Sequence, residues 1–393
     1  MLLHSYEIRR CILDGGEEVP LLVDRSGMPH MLANAYVQAS CRGSGKSPAT
    51  QDARLRGIGR ALAYFDAKGI DIASRVGTGD YLSLEELNGL AEACLKRIGP
   101  GGGNINGATA GSYWDASVDY VLWRADAAIG KATGSRKEML VAQRERFGTL
   151  AAQQRPRPSR GAEYIDRLGL EPALRPLLLR AIQPGSVDNP FQRKLQKRNY
   201  ALVILAYELG FREGEELSLR VRDYDTRADP PTILVQPRAP DALDTRKVKP
   251  RVKTMGRLLQ PPEYVLLALD AWLNDRRDRA AFPNARRNPY LFVETGGEPL
   301  ALRSLRSIYE RLVEFHPELK GLGPHVVRHT SADLDTEKAD TEGWNEDSWQ
   351  RHMEYKFGWA EGSDQPRRYA KGATGRTVNR RLREQQRRDL GKE

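Results

Sequence analysis

The sequence predicts two domains, a helical N-terminal one and a mixed α+β C-terminal one, and three observations carry that expectation. The chain is 393 residues long, more than one ordinary domain holds and enough for two with extensions. Residues 30–152 repeat their apolar positions at helical spacing, with capping signals at the helix starts. After a proline-rich basic stretch the pattern changes, and helices alternate with short strand-like runs. With 40% hydrophobic residues, each half can bury a core.

In chain order, residues 1–29 read as an apolar and acidic extension. Ser47-Pro48 supplies an N-cap and a first-turn proline, and Leu55, Ile58, Leu62 and Phe65 then recur on one helical face. Ser83 and Glu86 make a capping box ahead of Leu87, Leu90, Cys94 and Leu95. Residues 99–103 are a glycine loop, Trp114, Val118, Val121 and Ala125 mark a third helix, and a polar fourth spans 136–152. Residues 153–171, with Pro156, Pro158 and Gly161 among arginines, read as the linker. The second domain, 172–372, opens on apolar helices around 174–182 and 191–209. It continues through strand-like runs at 232–236, 251–260 and 290–293 and closes on helices near 302–315 and 324–337. Residues 335–347, acidic and tryptophan-containing, read as a surface insertion. Residues 373–393 form a basic tail in which Val378 and Leu382 lie four apart, as on one helix face.

The net charge is +10 and unevenly spread. From Arg367 onward ten Lys/Arg stand against three acids, and between Asp244 and Arg257 six basic residues face one. Such patches suit a phosphate backbone. The longest apolar run, 201–207, is far too short to span a bilayer. Asp14, Glu17 and Glu18 break the first apolar stretch, so no secretory signal is read there. Cys11, Cys41 and Cys94 are too far apart and odd in number for a disulfide framework. The expected location is the cytoplasm. Gly43-Ser44-Gly45-Lys46-Ser47 superficially suits a nucleotide phosphate, but Ser40 stands where the loop needs glycine and no strand pattern precedes it.

Three later pieces carry chemistry. Gly210-Phe211-Arg212-Glu213-Gly214-Glu215-Glu216-Leu217 breaks one helix and starts another with an arginine near its beginning. His325, Arg328 and His329 share the face of a later helix. Phe357-Gly358-Trp359 precedes Tyr369 by about ten residues. Each has a bland reading alone: a capping arginine, a core tryptophan, one tyrosine among fifteen. His325 and His329, four apart, could be zinc ligands, but Arg328 sets a fixed cation beside them and no third ligand stands out. No metal is expected. The joint occurrence of these pieces, in this order, outweighs the separate readings.

That order resembles the tyrosine recombinase family, which carries a G-x-R-x-x-E-L box, a hairpin lysine, H-x-x-R-H, a leucine-glycine-histidine (or tryptophan) turn and a nucleophilic tyrosine about ten residues on. Gly210, Arg212, Glu215 and the displaced Leu217, then Lys253, His325, Arg328, His329, Trp359 and Tyr369 match it over roughly 172–372. The resemblance implies a helical core-binding domain at 30–152 and an α+β catalytic domain that together clamp duplex DNA. It implies a site-specific recombinase or integrase of a mobile element. Arg212 and Arg328 would grip the scissile phosphate through planar forks of donors. His325 and Trp359 would add donors, and the indole can never accept a proton. Tyr369 would attack to form a 3′-phosphotyrosine, Lys253 would protonate the leaving 5′-oxygen, and Glu215 and His329 would support. Lys249 and Lys247 stay open as alternative acids. Tyr355 is the fallback nucleophile should the long 41-residue stretch from Arg328 displace Tyr369. Arg246, Lys247, Lys249, Arg251, Arg367 and Arg368 are the expected DNA contacts. The resemblance further implies no cofactor and four copies on paired DNA sites passing through a Holliday junction. Accessory proteins that set direction and association with the nucleoid would complete the picture. The rivals are a type IB topoisomerase and a silent DNA-binding scaffold.

Overall fold

Among the described residues Val19, Leu22 and Val23 are the first hydrophobic ones that the fold buries, and they correct the reading of residues 1–29 as an extension. The computed structural model describes residues 5–14, 17–98, 102–157, 168–238, 241, 244–246 and 249–389, with side chains to 387. In it β1 (Tyr6–Ile12) and β2 (Glu18–Asp24) form an antiparallel hairpin, Tyr6 opposite Asp24 and Ile12 opposite Glu18. Asn34 pins it: its Oδ1 accepts from Leu22 N at 2.8 Å and its Nδ2 donates to Leu22 O at 2.9 Å. The hairpin therefore belongs to the first of two units, Met1–Glu163 and Tyr164–Glu393.

The first unit is otherwise helical: α1 (Met31–Val37), α2 (Pro48–Lys68), α3 (Ile72–Thr78), α4 (Leu84–Leu95), α5 (Gly107–Lys131) and α6 (Gly134–Gln153). Ser47 caps α2 by accepting from Thr50 N, and both bonds of the Ser83–Glu86 capping box form. Leu55, Ile58, Phe65, Leu87, Leu90, Cys94, Trp114 and Val121 fill the core. α1 and α3, two turns each, are too short to show a period.

In the second unit α7 (Arg175–Ile182) leads to α8 (Arg193–Leu209), whose residues Ala201–Tyr207 are all buried. After α9 (Glu213–Ser218) comes an antiparallel sheet in the order β3 (Tyr224–Asp225), β4 (Thr232–Val235), β5 (Arg257–Leu259). Then follow α10 (Glu263–Arg276), α11 (Leu302–Phe315), α12 (Pro324–Glu342), α13 (Glu346–Phe357), α14 (Gln365–Tyr369) and α15 (Lys371–Asp389). α10 and α12 pack against α8. The run at 251–260 keeps only three strand residues, β5. The run at 290–293 makes isolated bridges, Tyr290 to Arg220 and Val293 to Pro299. Its apolar residues reflect burial at the core, which a short run cannot distinguish from strand pairing.

Residues 335–347 are not a loop laid on the surface. They are the second half of α12, its turn and the start of α13. Asp335 pairs with Lys356 at 2.6 Å and with His352 at 3.6 Å, and Trp349 Nε1 donates to buried Thr336 at 3.1 Å. The distance in sequence from Arg328 to Tyr369 is thus taken up by a helical hairpin that folds back. Among the described residues no helix is long and apolar enough to cross a membrane.

Candidate active site

Gly210 ends α8 with φ +62°, a left-handed conformation that favours glycine, and an added Cβ would run into the Phe357 ring. That close approach joins the α8–α9 turn to the end of α13. Arg212 then caps α9, its backbone N–H donating to Glu215 Oε2 at 2.8 Å.

Glu215 is the hub of the turn. Its carboxylate is fully buried and receives Arg257 through two donors, Nη1 to Oε1 at 3.0 Å and Nη2 to Oε2 at 3.1 Å. The Thr254 hydroxyl also donates to it, and Arg328 Nη1 lies 3.6 Å away. Burial opposes ionisation, but the hydrogen bonds and charge of Arg257, with the charge of Arg328, outweigh it and hold Glu215 below the usual carboxylate range.

Arg328, on the first turns of α12, is 1% exposed. It donates to Gly210 O, and through Nη2 to Phe357 O at 3.1 Å. Its guanidinium lies 4.9 Å from the Phe357 ring, 5.3 Å from Trp359 and 5.4 Å from Tyr369. Burial first, and then the like charge of Arg212, pull its pKa down to about 9. Two guanidinium groups, Arg257 and Arg328, flank the one carboxylate, and the charge of a third, Arg212, acts on Arg328. The cluster carries surplus positive charge in a low-dielectric setting, where an anion would be strongly favoured.

A second glycine closes the cluster. Gly358 caps α13 with φ +65°, and a Cβ there would lie 2.6 Å from Arg257 Nη1 and 2.8 Å from Thr254 Cβ. Met255 N donates to Gly358 O at 3.0 Å, tying the loop before β5 to the turn that bears Trp359. Trp359 stacks on Phe357 at 4.8 Å. Tyr369, at the end of α14, stacks on His329 at 4.1 Å and lies 5.0 Å from Trp359 and 5.8 Å from His325, all between ring centroids. His329 Nδ1 also contacts Tyr369 O at 3.2 Å. Arg212 Nη1, Arg328 Nε and Trp359 Nε1 are buried without a hydrogen-bond partner among the described residues. Three donors left idle in one cluster are anomalous in a folded protein unless a ligand completes them.

The fold thus brings together Arg212, Glu215, His325, Arg328, His329, Trp359 and Tyr369. Lys253 is exposed on the loop whose next two residues, Thr254 and Met255, bond into the cluster. Lys249 donates to Asp241 O at 3.1 Å, and Lys247 lies outside the described residues. The Tyr355 hydroxyl donates to Leu258 O at 2.8 Å, bound to β5.

Arg246 needs correction. Its side chain is 5% exposed, pairs with Asp244 at 2.8 Å and donates to Leu217 O and Leu300 O, so it holds the core rather than a DNA phosphate. Arg251 and Arg368 are exposed, and Arg367 pairs with Glu346 at 3.1 Å. Sequence reasoning missed Arg257 and Thr254 as site residues. The available signal was faint: a basic residue at the start of a strand, four after Lys253.

Fold and site together define an anion pocket of arginines faced by a tyrosine. Residues 185–342 match the phage integrase family. That match lies wholly within the second unit and takes in 158 of the chain's 393 residues. The tyrosine recombinase XerC of Bacillus subtilis is 30% identical over 135 residues, 34% of this chain and 39% of its own length. XerD of Mycobacterium leprae is 31% identical over 137 residues, 34% of this chain and 38% of its own. The chain thus matches about two fifths of the length of these curated relatives. Among solved structures, the XerH site-specific recombinase bound to its difH substrate aligns at 15% identity and TM-score 0.49, covering 88% of each chain. The Tn1549 transposon integrase with transposon right-end DNA aligns at 15% identity and TM-score 0.48, over 76% of this chain and 86% of that one.

Proposed function

We propose that the chain is a site-specific DNA recombinase, an integrase of a mobile element, that cuts and rejoins strands through Tyr369. The observation that carries this reading is the trio of idle buried donors: Arg328 Nε and Trp359 Nε1, on groups that flank the Tyr369 ring, and Arg212 Nη1, on the arginine whose charge acts on Arg328. A scissile phosphodiester supplies the acceptors they lack, and their charge favours the extra negative charge that develops as phosphorus is attacked. Tyr369 Oη forms the new bond to phosphorus, its proton passing to His325 or into the cationic pocket. The bond to the 5′-oxygen breaks, and Lys253 protonates that oxygen as it leaves. The 3′-phosphotyrosine stores the bond, so religation by a partner strand needs no nucleotide. Arginines supply the charge that a metal would otherwise supply, so the reaction requires none.

Lys253 is preferred as the acid because its loop bonds to Glu215 and Gly358, whereas Lys249 is held by Asp241 O. Duplex DNA at specific sites is the substrate, with Arg251 and Arg368 as exposed contacts to its backbone. Four copies on paired sites exchange strands through a Holliday junction, in the cytoplasm at the nucleoid, with accessory proteins setting direction.

The test is a nicked duplex spanning the junction of the genetic element that encodes the chain, incubated with EDTA and no nucleotide. A covalent protein–DNA adduct should accumulate, and Tyr369→Phe should bind the duplex equally well and form none. An adduct that survives in Tyr369→Phe, or one that needs a divalent metal, sinks the reading. Relaxation of supercoiled DNA without site preference would point to the topoisomerase instead.

A further inference from the structure

Tyr369 is held from behind as well as by its aromatic neighbours, and the holder lies outside the cluster already described. Asp333, one turn after His329 on α12, has a side chain with no exposed surface. Its Oδ1 accepts the backbone N–H of Ala373 at 2.9 Å, and its Oδ2 accepts Arg376 Nη2 at 2.8 Å. Arg376 also reaches Glu337 Oε1 at 2.8 Å, and Glu337 is held in turn by both terminal nitrogens of Arg175, at 2.6 and 2.9 Å. The carboxylate is packed so closely that a Cβ on Gly372 would lie 2.5 Å from Oδ2 and one on Gly169 2.8 Å from it. Ala370 and Ala373 are fully buried on either side.

The four residues after Tyr369 are thus clasped to the helix that carries His325, Arg328 and His329. A backbone held at Ala373 and at the base of α15 leaves the tyrosine little freedom to move relative to Arg328. Burial pushes the Asp333 carboxyl upward, while Arg376 and the Ala373 N–H oppose it. A carboxylate with no exposed surface carries a desolvation cost that its two partners must offset, and such a placement calls for a role.

We propose, resting on the strand-transfer reading above, that Asp333 with Arg376 is a positioning clasp that sets the Tyr369 hydroxyl against the bound phosphate. Neither residue touches the reacting atoms. They act through the chain segment that bears the nucleophile, and a displacement of about 1 Å there slows attack by roughly 100-fold.

The experiment uses the full chain on the nicked duplex, with single-turnover adduct formation and duplex affinity measured separately. Asp333→Asn keeps the bond from Ala373 and loses the ion pair. Arg376→Ala loses the ion pair from a partly exposed site that tolerates truncation. Both should bind the duplex with unchanged affinity and form adduct about 10- to 100-fold more slowly, and Arg376→Lys should recover most of the rate. The decisive arm places Asp333→Asn in Tyr369→Phe and supplies hydrogen peroxide. There hydroperoxide oxygen attacks phosphorus, the bond to the 5′-oxygen breaks and that oxygen takes up a proton. A clasp that positions only the tyrosine leaves this cleavage at the rate of Tyr369→Phe alone. Equal slowing in the peroxide arm, or adduct formation at the unmodified rate in both single variants, overturns the clasp and leaves the strand-transfer reading standing. Failure of the unmodified chain to form any adduct overturns both.

Discussion

Glu216 is buried beside Glu215 and has neither carboxylate oxygen hydrogen-bonded among the described residues, and the nearby Tyr309 hydroxyl is in the same position. Burial, and then the charges of Glu215 and Glu213, push its pKa well above the usual carboxylate range, so the folded chain keeps a proton that the unfolded chain loses. Between the ordinary value near 4.5 and the raised folded one, the folded state binds more protons. Stability therefore falls as pH rises through that window, by about 1.4 kcal/mol per pH unit. Glu216→Gln should flatten this dependence, and Glu216→Leu should also stabilise the chain at neutral pH, because no buried acid remains to be kept neutral. Urea unfolding at pH 5, 6, 7 and 8 checks it; parallel slopes for the three proteins would refute the assignment. At this scale the sequence was legible where a residue type has few uses in a given order, as for His325, Arg328 and Tyr369. It was illegible for Arg257, whose partner Glu215 stands 42 positions away. Arg246 misled because charge density does not reveal burial: Asp244, two residues before it, neutralises it in the core.

Elements position the site through their ends. α8 stops at Gly210, α9 starts at Arg212, α13 stops at Gly358 and α14 stops at Tyr369. The helices themselves were largely readable from apolar period and capping. β5 and the loop before it were not, because three strand residues carry no alternation that a sequence can display. The α12–α13 hairpin was misread because Asp335 pairs with Lys356 and His352, and Glu337 with Arg175 and Arg376, rather than facing solvent alone. Gly358→Ala tests how far an element's end controls the chemistry. The φ of +65° strains any L side chain by about 1–2 kcal/mol, and the new Cβ would push on Arg257 and Thr254, the partners of Glu215. The variant should lose at least that stability in urea melts. Adduct formation should fall by more than tenfold, beyond what the melt explains. A variant that unfolds earlier yet cleaves at the unmodified rate would mean that the turn is scaffold only.

Charge divides unevenly over the whole molecule. Unit 1 holds 21 Lys/Arg against 18 Asp/Glu, and unit 2 holds 41 against 34, net +3 and +7. Much of the second excess sits on α15, where Arg380, Arg381, Arg383 and Arg387 are exposed and Val378 and Leu382 present an unpaired apolar pair, 48% and 58% exposed. The helix has two parts with different expected tasks. Its base is bound in cis, through Arg376 to Asp333 and Glu337 and through Thr377 Oγ1 to Asp340 at 2.9 Å. Beyond Thr377 the apolar pair stays exposed among the described residues, and a neighbouring copy on DNA is the proposed occupant. Truncation after Thr377 separates the tasks. The clasp stays, so adduct formation on a nicked single site should remain within about threefold of the full chain, and affinity should drop only through fewer phosphate contacts. Assembly of the paired-site complex, and recombination with it, should fall by far more, because a lost apolar contact between copies is felt only where copies meet. Gel shifts on one and on two sites, with recombination scored on the same preparations, decide it. Intact pairing after truncation would leave the outer half of α15 a passive extension, while loss of single-site cleavage would show that positioning of Tyr369 extends past the clasp.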